Sequence, residues 1–319
     1  MFEEDMGIPV YLITGFLEAG KTSFLKFTLE QDYFQIDGTT LLILTEEGEE
    51  EYDEEKLKKK YNTVIEVVEE ASDFTPEYLK TLNRRYKPER VIIEFNPLWS
   101  VSRFEQMELP PFWDPAQHIV IVDASCFQVY MQNLKSLFME MCRNADMVIF
   151  NRSKREYPLA TFRRSIKVAN QRCEVLFEDE EGELDDIFED DMPFDISGDF
   201  IDVPYEDFGL WYIDMMDHPE KYDGKTVRYT GLVVKSRKKD AGYFMPGRKA
   251  MTCCADDMTF IGFICYSDQA QSLKTGQWVT VTAKVKHEFN KIYREEGPVL
   301  YAENVEPAET PEDPLVYFN

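Results

Sequence analysis

An eight-residue stretch, Gly15-Phe16-Leu17-Glu18-Ala19-Gly20-Lys21-Thr22, constrains this chain more than any other. The apolar run over 8–14 reads as a buried strand, and residues 23–29 carry helical apolar spacing. Strand, G-x-x-x-x-G-K-T, helix is the context of a phosphate-binding loop. Gly15 and Gly20 let the backbone curl so that several N–H groups face one phosphate. Glu18, Ala19 and Ser23 belong to the same nucleotide-binding stretch. The helix starting near Lys21 adds its positive dipole end. Lys21 is placed to reach the β- and γ-phosphates, and the Thr22 hydroxyl to sit on Mg²⁺.

The rest of the first half fits around that loop. Apolar, largely β-branched runs at 39–44, 63–68, 90–95, 118–123 and 147–150 alternate with helical stretches at 54–61, 76–85, 127–141 and 156–169. Such runs suit a sheet covered on both faces. Their alternation predicts a doubly wound α/β domain over 1–177. Ligands of such sheets sit beyond the carboxyl ends of the strands, where Gly15, Glu46, Glu94 and Asn151 fall. Over 178–207 acidic residues dominate and no Lys or Arg occurs, which reads as a solvated linker. Over 208–319 a short helix at 210–217 precedes strand-like runs at 227–234, 250–254, 260–266, 278–286 and 299–305. That spacing predicts a small β-barrel of OB type.

A net charge of −26 argues against wholesale binding to nucleic acid or to an anionic membrane. No apolar run reaches membrane-spanning length. The acidic start Met1-Phe2-Glu3-Glu4-Asp5 lacks the basic opening of a signal peptide, so a cytoplasmic location is expected. Six cysteines without a C-x-x-C pair do not suggest a disulfide framework.

Several motifs in order resemble the CobW-type P-loop GTPases, relatives of the urease and hydrogenase maturation GTPases. They are GFLEAGKTS, Thr45-Glu46-Glu47-Gly48-Glu49 followed by Asp53, Ile92-Ile93-Glu94, Val122-Asp123-Ala124, and the strand running into Asn151. The resemblance covers about 8–177. It implies GTP (or ATP) with Mg²⁺ at Gly15–Ser23 and Thr22, Asp53 and Glu94 around the cation. It also implies Lys21 and Glu94 as catalytic residues, Asn151 and Arg152 at the base, and a role in handling Zn²⁺ or Co²⁺ for a receiving protein. Three departures bear on it. The family's C-x-C-C is replaced by Val68-Glu69-Glu70-Ala71-Ser72-Asp73, whose carboxylates are harder ligands than thiolates. Its E-x-x-G is Glu94-Phe95-Asn96-Pro97, and proline has no N–H to give a γ-phosphate. Its N-K-x-D is Asn151-Arg152-Ser153-Lys154, where Lys154 cannot accept from guanine, although Glu156 follows nearby. Slow turnover and weak guanine preference are expected.

The second half resembles the C-terminal domain of YcgQ-type proteins, which accompany a predicted permease. Pro219-Glu220, Gly224-Lys225, Gly231-Leu232-Val233, Arg248, Met251-Thr252-Cys253-Cys254-Ala255-Asp256 and Gly276-Gln277-Trp278-Val279 carry the likeness. It implies an association with solute or metal transport. Cys253 and Cys254, with Cys265 on the next run, are candidate soft-metal ligands; the alternative is plain packing, since free cysteine behaves as a small hydrophobe. His118, His218 and His287 are isolated and read as structural. Lys235, Arg237, Lys238, Lys239, Arg248 and Lys249 make a local basic patch, read as solvated loop or as a dock for the acidic stretch. Two other functions stay open: a nucleotide-bound scaffold that does not hydrolyse, and a metal-binding or transport-accessory protein acting through the second half.

Overall fold

The computed structural model describes residues 7–46, 48–184, 192–235, 242–251 and 258–316. The chain divides into two compact units, Met1–Ile166 with Asn170–Ile187, and Lys167–Ala169 with Phe188–Asn319.

The first unit runs β1 (Ile8–Thr14), α1 (Lys21–Glu30), β2 (Thr40–Leu44), α2 (Glu54–Tyr61), β3 (Thr63–Val67), α3 (Pro76–Tyr86), β4 (Arg90–Glu94), α4 (Val101–Glu105), β5 (Trp113–Asp123), α5 (Phe127–Asn133), α6 (Lys135–Cys142), β6 (Met147–Asn151), α7 (Leu159–Ala169) and β7 (Glu174–Phe177). Its sheet is wholly parallel, in the order β3-β2-β4-β1-β5-β6-β7. Every residue of β4 is buried and β2 is nearly so, which is why their middles, Val91–Ile93 and Leu41–Ile43, are apolar at every position. One sheet face packs Ile13, Leu42, Ile92, Ile121 and Ile149 against Leu25 and Leu29 of α1. The single helix expected over 127–141 is two, separated at Leu134. The short edge strand β7 carries only four residues and escaped the sequence reading. β1 lies between β4 and β5, so the loop after it opens at the centre of the sheet's carboxyl edge.

His118 of β5 is structural, as its isolation suggested. Its Nε2 meets the Thr14 hydroxyl at 2.9 Å, its backbone N–H donates to Asp146 (2.7 Å), and its Nδ1 is buried with no hydrogen-bond partner among the described residues. Burial lowers its pKa to about 4, against a weaker opposing pull from Asp146. The unfolded chain therefore takes up this proton more readily. The stabilising contribution is complete above about pH 6.5 and is lost as pH falls towards 4, a change of about 3 kcal/mol. Denaturant titrations of wild type and His118→Gln across this interval check it. The substitution should flatten that part of the profile, and an unchanged profile would exclude His118 as its source.

The second unit runs β8 (Phe200–Asp202), α8 (Phe208–Asp217), β9 (Thr226–Lys235), β10 (Tyr243–Met251), β11 (Met258–Gly262), β12 (Ile264–Tyr266), β13 (Trp278–Asn290), β14 (Glu295–Pro307) and β15 (Leu315–Val316). β9, β10, β12, β14 and β13 close into a five-stranded barrel, with β12 and β14 parallel and the other pairs antiparallel. Numbered within the barrel, that order is 1-2-3-5-4-1, the OB arrangement the spacing predicted. The second barrel strand lies at 243–251 rather than 250–254, and the run at 260–266 is two strands that pair with different parts of β10, the second also with β14. The acidic stretch is not all linker. β8 pairs in parallel with β9, and Ile201 and Val203 are buried in the core of this unit. α8 places Phe208, Trp211 and Met215 in the same core.

Arg248, read from sequence as part of a basic surface, is buried instead. Its guanidinium donates to the carbonyls of Tyr205 and Leu315 (2.6 Å to the latter) and lies 3.7 Å over the Tyr205 ring. Lys235 turns onto the carbonyls of Gln271 and Leu273, at 3.0 and 2.9 Å. Arg237, Lys238 and Lys239 lie outside the described residues.

Candidate functional site

The loop after β1 has the backbone that the glycines predicted. Gly15 and Gly20 take φ of +146° and +98°. A Cβ on Gly15 would meet the Ile121 carbonyl at 2.3 Å, and one on Gly20 would meet Asn151 Nδ2 at 2.5 Å. Glu18 takes φ +61°, which lets the chain double back between them. Gly20 caps α1 without a side chain, so no side chain occupies the first N–H groups of that helix, and they remain an anion site.

Lys21 is 3% exposed. Its Nζ donates to the Gly15 and Phe16 carbonyls (2.8 and 3.0 Å) and pairs with Glu46. The Thr22 hydroxyl donates to Glu94 Oε1 at 2.9 Å, and the Tyr52 hydroxyl donates to Glu94 Oε2 at 2.6 Å. Burial raises the Glu94 pKa, while Tyr52, Lys21 and Thr22 act to hold it down. Burial, with the Glu94 charge beside it, also pushes the Tyr52 hydroxyl far up, so it stays a donor. Ser23 donates to the Glu50 carboxylate, which also pairs with Lys26 at 2.8 Å. The Glu49 N–H donates to Glu18 Oε1 at 3.0 Å. Leu17, Glu18, Gly20, Lys21, Thr22, Ser23, Glu46, Gly48, Glu50, Glu94 and Arg152 line one cleft.

Two residues assigned to the base do other work in this conformation. Asn151 Nδ2 donates to the Ala19 carbonyl at 2.7 Å and so braces the loop from β6. Arg152 donates to the Glu18 carbonyl (3.2 Å) and pairs with Asp123. Burial acts to raise the Asp123 pKa, but hydrogen bonds from Ser125 and Arg152 overcome it and hold the carboxyl low. Lys154 and Glu156 are exposed. Asp53 does not join the cleft. It is exposed and caps α2, accepting from the Lys56 N–H at 2.9 Å. The sequence reading missed Glu50 and Tyr52; for Glu50 the signal available was the density of acids over 46–51 beside a Lys-Thr-Ser loop.

Cys253 and Cys254 lie outside the described residues. Cys265 is buried in the barrel core, and burial pushes its thiol up to about 12, so it packs as a neutral hydrophobe. Among the described residues no three His, Cys, Asp or Glu side chains are grouped to hold a metal ion. Among them, too, no helix is long and apolar enough to cross a membrane.

Residues 9–176 match the family described as CobW/HypB/UreG, nucleotide-binding domain, and residues 189–318 match the DUF1980 C-terminal domain. The Zn(II)-bound YjiA GTPase from E. coli is 22% identical, with 56% of this chain and 59% of that chain covered and a TM-score of 0.42. The match thus spans under two thirds of that protein's length. Hydrogenase maturation factor HypB from Archaeoglobus fulgidus is 16% identical, covering 56% of this chain and 84% of that one, with a TM-score of 0.36. A comparison with curated proteins finds no match. Likenesses this distant bear on neither substrate nor mechanism.

Proposed function

Because the chain belongs to the CobW/HypB/UreG family through its nucleotide-binding domain, we propose that residues Gly15–Ser23 bind a nucleoside triphosphate, GTP in the first place. In this reading the protein hydrolyses it slowly and uses it as a switch in metal handling. The observation that carries the reading is the cradle itself. An uncapped helix N-terminus, the Lys21 ammonium and the Thr22 hydroxyl converge behind two left-handed glycines. Mg²⁺ takes hard oxygen ligands. The Thr22 hydroxyl and the Glu94 carboxylate, 2.9 Å apart, supply such oxygens, so these residues fit the cation. When bound, Mg²⁺ neutralises phosphate charge.

The chain's own groups divide the work. The α1 N–H groups and Lys21 hold phosphate oxygens and stabilise charge that develops on them. Glu94, fixed by Tyr52, is placed to orient an attacking water. Pro97 is buried at the start of a short helical turn and offers no N–H to the γ-phosphate, which supports slow turnover. Asn151 spends its amide on Ala19, and the family's aspartate is Lys154, so base discrimination is weak. The barrel would serve a protein partner, a metal-receiving target or a permease among them.

Titration with fluorescent GTP and ATP analogues, with and without Mg²⁺, tests the reading. Binding of both is expected, tighter with Mg²⁺, with GTP preferred by less than about tenfold. Binding of neither nucleotide would overturn it.

A further inference from the structure

Every side-chain donor of the phosphate cradle is already held by a carboxylate of the same chain. Glu46 sits on Lys21, Glu94 accepts from Thr22, and Glu50 takes both Ser23 and Lys26. Glu94 belongs to β4, but Glu46 and Glu50 come from the segment leaving β2. That segment is fastened at two further points. Thr45 Oγ1 donates to the Glu94 carbonyl (3.1 Å) while accepting from the Asn96 N–H (2.7 Å), and the Glu49 N–H donates to Glu18 at 3.0 Å. The Lys21–Glu46 pair is nearly buried, with side chains 3% and 10% exposed, whereas Lys26 and Glu50 are 32% and 45% exposed.

A carboxylate and a phosphate are both anionic acceptors, and both favour a charge-assisted bond to Lys21. We propose that Glu46 and Glu50 form a built-in plug that stands where phosphate oxygens bind, so that nucleotide enters only when these carboxylates leave. The proposal rests on the nucleotide reading above. It makes observed affinity the intrinsic affinity multiplied by the fraction of molecules with the plug open. The buried Glu46 contact holds the closed form more strongly than the screened Glu50 contact. The arrangement also explains why an acidic run lies against a loop built for anions. It cancels the cradle's positive charge until a more highly charged ligand arrives.

The test is titration of the full chain with a fluorescent GTP analogue and Mg²⁺, comparing wild type with Glu46→Gln, Glu50→Gln and Glu51→Gln. Glu51 is exposed and does not line the cleft, so it reports the effect of charge alone. Glu46→Gln should tighten Kd about tenfold and Glu50→Gln about two- to threefold, with Glu51→Gln near wild type. Wild-type binding that is unchanged in the Glu46 and Glu50 variants would overturn the plug and leave the nucleotide site standing. Equal tightening in all three would also overturn it, in favour of bulk charge. Absence of binding in every protein would overturn the plug and the nucleotide reading together.

Discussion

Replacing Lys21 with alanine is expected to weaken nucleotide binding by about 100-fold or more while costing the unliganded protein only about 1–2 kcal/mol. The two effects differ because Lys21 has different partners in the two states. Without nucleotide, its ammonium donates to the Gly15 and Phe16 carbonyls and pairs with Glu46. Removing one member of a buried pair commonly costs about 3–5 kcal/mol, because the other charge is stranded. Glu46, however, heads a segment whose residues 48–51 are exposed, and its carboxylate can turn into water. A bound triphosphate has no such escape; its charge stays at the loop, and the lost ammonium is lost outright. The double variant Lys21→Ala/Glu46→Gln should therefore be about as stable as Lys21→Ala and should not regain the binding. Urea unfolding and nucleotide titration on the same three proteins separate the two. Wild-type affinity in Lys21→Ala would mean that this loop is not where phosphate binds.

That contrast also marks how far the sequence could be read. The loop was legible because its chemistry is local: two glycines, a lysine and a threonine at fixed spacing between a strand and a helix. β2 and β4 were legible because both faces of their middles are buried, so Leu41–Ile43 and Val91–Ile93 had to be apolar. Glu46 was visible as a strand-end residue, but its pairing with Lys21 spans 25 positions and depends on how the segment after β2 folds back. Tyr52 reaches Glu94 across 42 positions, and nothing in its neighbourhood announces that contact. Asp53 shows a different gap between the two readings. The resemblance assigns it to the cation, while the local backbone uses it as the cap of α2. In the barrel, Tyr243–Met251 contains Pro246-Gly247-Arg248-Lys249, which reads as a turn. It is a strand because Pro246 and Gly247 lie where β10 exchanges one neighbour for another.

The helix before the barrel was legible as a helix and not as what fills it. Trp211 is fully buried, with its ring 4.8 Å from Tyr229, 5.5 Å from Phe263 and 5.6 Å from Phe208. β9 supplies Tyr229, and Phe263 lies between β11 and β12, so one side chain of α8 joins strand segments distant in sequence. Trp211→Ala is expected to destabilise this unit by about 3–5 kcal/mol, because a closed barrel cannot collapse into the space left behind. The indole also carries a liability. Its Nε1 is buried without a hydrogen-bond partner among the described residues. An unsatisfied buried donor costs about 1–3 kcal/mol. Trp211→Phe removes that donor while keeping an aromatic ring, so it should lose no more than about 1–2 kcal/mol. Chemical denaturation of the two variants gives the comparison. A loss in Trp211→Phe as large as that in Trp211→Ala would mean that the N–H is satisfied in solution and that losing its bond, not ring volume, sets the cost. A small loss in Trp211→Ala would mean that α8 does not hold the barrel core together.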